Sequence, residues 1–200
     1  MSISKLACLV VMGSCIAACS SDSVSSDEQA KQAYLGLDAS LGKSITLGFT
    51  GFNNASSANI SPQMTVGDGG GTLTITGQVD QGASDNKGMR LYVGMAGYTD
   101  GVQTVDNQTV SITYATSTDP TMQPYLAMML SNIPTGTVTG TLTGVYEMTG
   151  DLVGQVTLNL MFNGTLEAGP GTTVIRTPGT TTVTGTAISN DGTYNVMVTL

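Results

Sequence analysis

From Ser44 onward, apolar and polar residues alternate along most of the chain. Ile45, Leu47 and Phe49 alternate with Thr46, Gly48 and Thr50, and Leu73, Ile75 and Val79 with Thr72, Thr74 and Thr76. Met89, Leu91, Val93 and Met95 continue the pattern, followed by Val110, Ile112 and Tyr114. A period of two predicts strands with one buried and one wet face, and β-branched threonine suits the wet side of a pleat. The longest alternation carries Val138, Leu142, Tyr146 and Met148 on one face and Thr137, Thr139, Thr141, Thr143 and Glu147 on the other. After a turn at Thr149-Gly150-Asp151 it resumes through Val156, Leu158, Leu160, Phe162 and Leu166. A last pair, Val183 to Ala187 and Tyr194 to Leu200, is joined by Ser189-Asn190-Asp191-Gly192, a strong turn sequence. About nine strands result, mostly antiparallel because the links are short.

Two stretches carry a helical period instead. Between Asp27 and Leu41, residues Ala30, Ala33, Tyr34, Leu37 and Leu41 share one face, with Asp27 as N-cap and Gly36 as a weak point. Asp119-Pro120 is suited to open a second helix, along which Leu126, Met129, Leu130 and Ile133 form a stripe before Pro134 stops it. That Met-rich stripe, with Met122 and Met128 nearby, is read as a core-packing surface, the alternative being a pliable apolar ligand surface. The predicted fold is therefore mainly β: an antiparallel β-sandwich or β-barrel with one or two packed helices, in a single domain over residues 27–200. Glycines at Gly77, Gly97, Gly140 and Gly144 favour the bends and coiling that a barrel needs. A membrane-spanning barrel is disfavoured, because aromatic residues make up only 5% of the chain and cannot form two girdles.

The N-terminus has a different layout. Lys5 is followed by an apolar run from Leu6 to Ala18 and an abrupt change to serine and aspartate. This is the order of a secretory signal, and the run is shorter than the roughly 20 residues a spanning helix needs. Ile16-Ala17-Ala18-Cys19 resembles the lipobox of bacterial type II signal peptides; Met12-Gly13-Ser14-Cys15 fits that pattern less well. The resemblance covers only these first residues. It implies cleavage after residue 18, a diacylglyceryl group on the Cys19 sulfur and acylation of the new amino terminus, hence stable membrane attachment. Ser20 in place of aspartate resembles the pattern that passes a lipoprotein on to the outer membrane. Residues 19–26, rich in serine, are expected to be a flexible tether.

Composition narrows the chemistry. The three cysteines are Cys8, Cys15 and Cys19, so a processed chain has no free thiol and no disulfide. Stability must come from a packed core, which a chain of this length can supply by burying about 70% of its unfolded surface. The formal charge is −8, and the basic residues beyond Lys5 are scattered at positions 31, 43, 87, 90 and 176. No basic cluster is available for phosphates, so no nucleic-acid partner is expected. Histidine is absent, which excludes Ser-His-Asp and Cys-His catalysis and histidine-ligated zinc.

Two chemistries survive that exclusion. Glycoside hydrolysis by a carboxylate pair would draw on Glu147, Asp151 and Glu167, although Glu147 lies among outward threonines and Asp151 in a turn. Calcium would draw on Asp80, Asp85 and Asn86 or on Asp100, Asp106 and Asn107, neither set having EF-hand spacing. The glycine-rich stretch 65–72 lacks the lysine of a phosphate loop and precedes a strand, so it is read as a loop. Cys19 is thus the one site residue, as the lipidation site, and no catalytic, metal or cofactor residue is assigned. The expected function is that of a lipid-anchored cell-envelope lipoprotein, non-enzymatic, with a binding or structural role, its partner an envelope protein or a small apolar ligand. A carrier of a small apolar ligand in a barrel cavity and a histidine-free polysaccharide hydrolase are the alternatives.

Overall fold

A computed structural model of the chain describes residues 23–105, 108–171 and 173–200. Helix α1 (Asp27–Leu35) leads directly into α2 (Asp38–Asn54), the two forming one long bent helix. The strands that follow are β1 (Asn59–Val66), β2 (Gly70–Val79), β3 (Lys87–Thr99), β4 (Gln103–Val105), β5 (Gln108–Val110) and β6 (Ile112–Ala115). After a short 3-10 turn at Pro120–Met122 come β7 (Tyr125–Ser131), β8 (Thr137–Gly150), β9 (Gly154–Ala168), β10 (Val174–Arg176), β11 (Thr182–Ser189) and β12 (Gly192–Thr199). Ten of these strands form one antiparallel sheet in the order β1-β2-β3-β6-β8-β9-β11-β12. β7 shares the lane between β3 and β8 with β6, β10 extends β9, and β4–β5 is a separate hairpin. The expected mainly antiparallel architecture with a packed helix is what the chain adopts.

The alternation predicted for the strands is realised in their burial. Val138, Leu142, Tyr146 and Met148 of β8 and Val156, Leu158, Leu160, Phe162 and Leu166 of β9 all face the core, while the threonines of β8 face water. The apolar face is lined against the bent helix, whose Ala30, Ala33, Tyr34, Leu37, Leu41 and Ile45 are buried in the same cluster. α1 packs on the edge strand β12, and α2 packs on the opposite edge strand β1 and on β2, β3 and β10. No ladder joins β1 to β12 among the described residues, and the helix touches both edges.

Three sequence expectations change here. Residues 44–50 belong to α2, not to a strand. Leu41, Ser44, Ile45, Gly48 and Gly51 supply the buried face at helical spacing, and the small residues permit close docking. A Cβ at Gly48 would stand 2.6 Å from Met89 Sδ of β3, so a larger residue there would make the Met89 side chain shift. Residues 119–133 are not a helix either. Asp119 caps only the 3-10 turn, and β7 then runs with Leu126, Met128 and Leu130 buried. Pro124 disfavours the α region for Gln123, which halts the helical turn before it can extend. Finally, the helix expected over 27–41 starts from Ser26, whose side chain accepts from Gln29 N, and bends at Gly36-Leu37. A Cβ at Gly36 would collide with the Tyr114 hydroxyl, 2.4 Å away.

Part of the segment read as a tether is docked as well. Val24 is fully buried, its carbonyl accepts from Ser189 Oγ at 2.5 Å, and Ser23 Oγ hydrogen-bonds Asp191. Asp27, freed from the N-cap role, accepts from Asn195 N at 2.7 Å and so satisfies an outward N–H of the edge strand β12.

The core contains four fully buried tyrosines, Tyr34, Tyr98, Tyr114 and Tyr146. Tyr114 donates to Ala33 O of α1 at 2.8 Å and meets Tyr146 edge-on, their ring centroids 6.1 Å apart. Burial raises the pKa of all four above the ordinary tyrosine value; Asp38 adds to the effect at Tyr34 and Asp100 at Tyr98. A raised folded pKa contributes stability that is complete below the unfolded value near 10 and is lost as pH climbs toward the folded value. Stability should therefore hold to about pH 10 and then fall by up to about 1.4 kcal/mol per pH unit for each of these tyrosines. Urea midpoints measured across the alkaline range should show this decline, with the tyrosinate absorbance of the four appearing only as the chain unfolds.

Candidate functional site

Two regions of the fold concentrate polar side chains. The first lies where α2 meets the sheet. Arg176 of β10 reaches Asp38 with both terminal nitrogens, at 2.9 and 2.8 Å, and also donates to the Asp38 carbonyl at 3.0 Å. Tyr34 donates to the same carboxylate at 2.6 Å. Burial works against the charge on Arg176, but the Asp38 contacts outweigh it and hold the guanidinium pKa above its ordinary value. Further along α2, Lys43 bonds Asp100 at 2.5 Å and Asp68 at 3.0 Å, and Tyr98 donates to Asp100 at 2.5 Å. Partial burial pulls the Lys43 ammonium down, and the hydrogen bonds to Asp100 and Asp68 more than compensate.

Between these two clusters lies a surface cavity of about 380 Å³ lined by Ala39, Gly42, Lys43, Thr46, Leu47, Thr65, Ile175 and Arg176. Both of its cations are already neutralised by carboxylates, so the region is built to fasten the helix to the sheet instead of to attract an anion.

The second region is on the outer face of the sheet and grows from its register. Tyr92 of β3 and Tyr125 of β7 are direct cross-strand partners, their rings tilted at 55° with centroids 5.3 Å apart. One step along β3 on the same face stands Arg90, paired across the ladder with Gln78 of β2, which in turn pairs with Asn59 of β1. Gln78 Nε2 donates to Asn59 Oδ1 at 2.9 Å, Arg90 Nε to Gln78 Oε1 at 3.4 Å, and Arg90 Nη2 to Asp80 Oδ1 at 2.6 Å. The Arg90 hydrogen bond holds the Asp80 carboxyl below the usual aspartate range. Asn59, Gly77, Gln78, Arg90, Tyr92 and Tyr125 line an open pocket of about 330 Å³. Neither tyrosine hydroxyl has a partner among the described residues.

The residues that the sequence offers for other chemistry are engaged elsewhere. Glu147 is exposed and accepts from Gln155 at 2.7 Å; Asp151 accepts from Ser111 N at 2.7 Å in the turn after β8; Glu167 lies on β9 opposite Ile175. Asp80 and Asp100 are committed to Arg90 and Lys43, and Asn86 Oδ1 accepts from Asn132 N at 2.9 Å. Asp106 and Asn107 lie outside the described residues, as do Cys19 and the lipobox. Among the described residues no group of three acidic, histidine or cysteine side chains is placed to hold a metal. The glycine-rich stretch forms the tight turn between β1 and β2, as its lack of lysine suggested.

The tyrosine pocket was only half legible. Alternation along β3 already points Tyr92 away from Leu91 and Val93, whereas Tyr125 is hidden by the helical reading of its segment. Tyr125, Ala127 and Met129 alternate with Leu126, Met128 and Leu130, and that period of two is the signal that finds it.

The Asp38–Arg176 pair has side-chain exposures of only 22% and 12%, so neither charge can fall back on water. Arg176→Met alone should lower stability by about 2–3 kcal/mol by stranding the carboxylate. Asp38→Leu and Arg176→Met combined with Tyr34→Phe, which removes the hydroxyl that Asp38 accepts from, should recover at least half of that loss in urea unfolding followed by circular dichroism.

Compared with known proteins, the chain matches no family model, no curated protein and no solved structure.

Proposed function

We propose that this protein is a lipid-anchored lipoprotein of the bacterial cell envelope, held in the outer membrane through Cys19, with a non-enzymatic binding role carried by the outer face of its sheet. The observation that carries the anchoring is the Ile16-Ala17-Ala18-Cys19 sequence at the end of a short apolar run. Among the described residues no helix is long and apolar enough to cross a membrane.

This reading implies an orientation. Ser23 is already docked against the turn between β11 and β12, and it is four residues from Cys19. Four residues of chain reach at most about 14 Å. A lipid on Cys19 thus holds the β11–β12 turn close to the bilayer, with the strands of the sheet leading away from it.

A binding role at the surface is favoured over one in the interior. The carrier alternative needs an apolar cavity inside the curled sheet, and that space is filled by the bent helix and the four tyrosines. The hydrolase alternative needs two free carboxyl groups across a cleft, and Glu147 and Asp151 are tied to Gln155 and Ser111. The pocket at Tyr92 and Tyr125 offers hydrogen-bonding groups and apolar ring area together, as small-ligand sites do.

Expression of the full chain in a two-membrane bacterium tests the anchor. The chain should fractionate with the outer membrane and carry the mass of acyl groups on a polypeptide beginning at Cys19. Cys19→Ala should leave the protein in the soluble periplasmic fraction without acyl mass; a variant still membrane-bound and acylated would sink the proposal.

A further inference from the structure

We infer that the Tyr92–Tyr125 pocket binds a neutral, hydroxyl-rich glycan, lying across the strands on the outer face of the sheet. This rests on the reading of that face as the binding surface and names the class of ligand it takes.

Two half-buried tyrosines stand side by side, tilted at 55°, so together they form an angled apolar wall and not a flat slab. Sugar rings carry C–H faces that pack on aromatic rings, and their edges carry paired hydroxyls that both donate and accept. Beside the rings stand Asn59, Gln78 and Arg90, three planar polar groups already fixed relative to one another by the hydrogen bonds from Gln78 to Asn59 and from Arg90 to Gln78. Groups held in place before binding lose little freedom when a ligand arrives. The two free tyrosine hydroxyls add groups that can each donate and accept.

Charge selects among glycans. Arg90 is bound to Asp80 and the chain as a whole carries −8, so an acidic polysaccharide meets a neutralised cation on a negative protein. A neutral glycan incurs no such cost. The pocket volume of about 330 Å³ suits the sugar held at the tyrosines and not a whole chain. The register supplies the continuation: from Tyr125 the same cross-strand row runs to the exposed Thr143 of β8 and Asn159 of β9. Neighbouring strands are about 4.8 Å apart, close to the length of one sugar residue in an extended chain, so each strand can present one hydroxyl or amide to successive residues.

The test uses the full chain in a polyoxyethylene detergent, which carries no sugar to compete. Its migration is followed in native gels containing a soluble α-glucan, a soluble β-glucan or a galactomannan. At least one of these should retard it. Tyr125→Ala and, separately, the exposed Gln78→Ala should weaken that retardation about tenfold in dissociation constant, the scale of losing an aromatic contact or a fixed hydrogen bond. Met197→Ser, exposed on β12 at the far edge of the sheet, should leave it unchanged. Circular dichroism melts of each variant show whether it is folded; Gln78→Ala, at an exposed site, keeps the test decisive if Tyr125→Ala is not.

No retardation by any of the three glycans overturns the inference, as does retardation that Gln78→Ala leaves intact. Retention of envelope proteins that is lost in Gln78→Ala, with no glycan retardation, overturns the glycan but keeps this face as the binding surface. Loss of neither makes both fall together. Membrane anchoring is read separately from the acyl mass at Cys19 and is unaffected by any of these outcomes.

Discussion

A sheet that carries most of its large apolar side chains on one face must bury that face, and burying it decides most of this structure. Ten strands expose far more apolar surface than a flat sheet could hide against one helix, and the other sheet among the described residues is only the two-stranded β4–β5 hairpin. The sheet therefore coils around the bent helix until both edge strands, β1 and β12, rest against it. The interior is filled by side chains, with tyrosines placed where their hydroxyls reach a helix carbonyl or a carboxylate. Close docking at Gly36 and Gly48 and the charge pairs at Asp38 and Lys43 are consequences of this arrangement. The helix has to enter a space already bounded by strands, and its polar side must be satisfied at the rim.

The parts of this that the sequence revealed are those where one face is wet. Along β8, β9, β11 and β12 a threonine or asparagine follows more than half of the core residues, so period, register and the turn at Asn190-Asp191-Gly192 could all be read directly. It failed where both readings were written in the same residues. In α2, Ile45, Leu47 and Phe49 alternate like a strand, but Leu41, Ser44, Ile45 and Gly48 also follow the helical spacing. The helical choice wins because small residues on that face let it approach β3. In β7 the reverse holds: Leu126, Met129 and Leu130 imitate a helical stripe, yet Met129 is turned outward and Met128 inward. Local propensity is a weak prior in such segments, and the vacancy left by neighbouring strands settles the matter.

The same ambiguity explains why the candidate site was hard to see. None of its residues is unusual alone. Asn59, Gln78, Arg90, Tyr92 and Tyr125 come from four strands, and only the register of three ladders makes them neighbours. Carboxylates attract attention in a sequence, and here the attention is misplaced. Asp38, Asp80 and Asp100 serve basic partners, Asp27 and Asp151 serve backbone N–H groups, and Asp119 caps a turn. With so few cations in the chain, pairing Lys43, Arg90 and Arg176 to carboxylates leaves most of the surface without fixed positive charge.

That division of roles bears on function. The inner face and its rim are over-determined: apolar contacts, buried tyrosines and charge pairs all depend on one another there, so a change at one position is felt at several. On the outer face the ladder holds the backbone, and the side chains between β1 and β9 are constrained only by their neighbours in the row. A surface of this kind can carry recognition at little cost to folding, because the residues that recognise are not those that hold the domain together. The anchor proposed at Cys19 would add a complementary constraint. It would hold the β11–β12 end near the bilayer through a short stretch of chain, while β2, β3 and β7 turn their outward side chains to the flank of the domain. On that proposal the residues that would recognise a ligand lie on the outer face, apart from those whose burial holds the sheet to the helix.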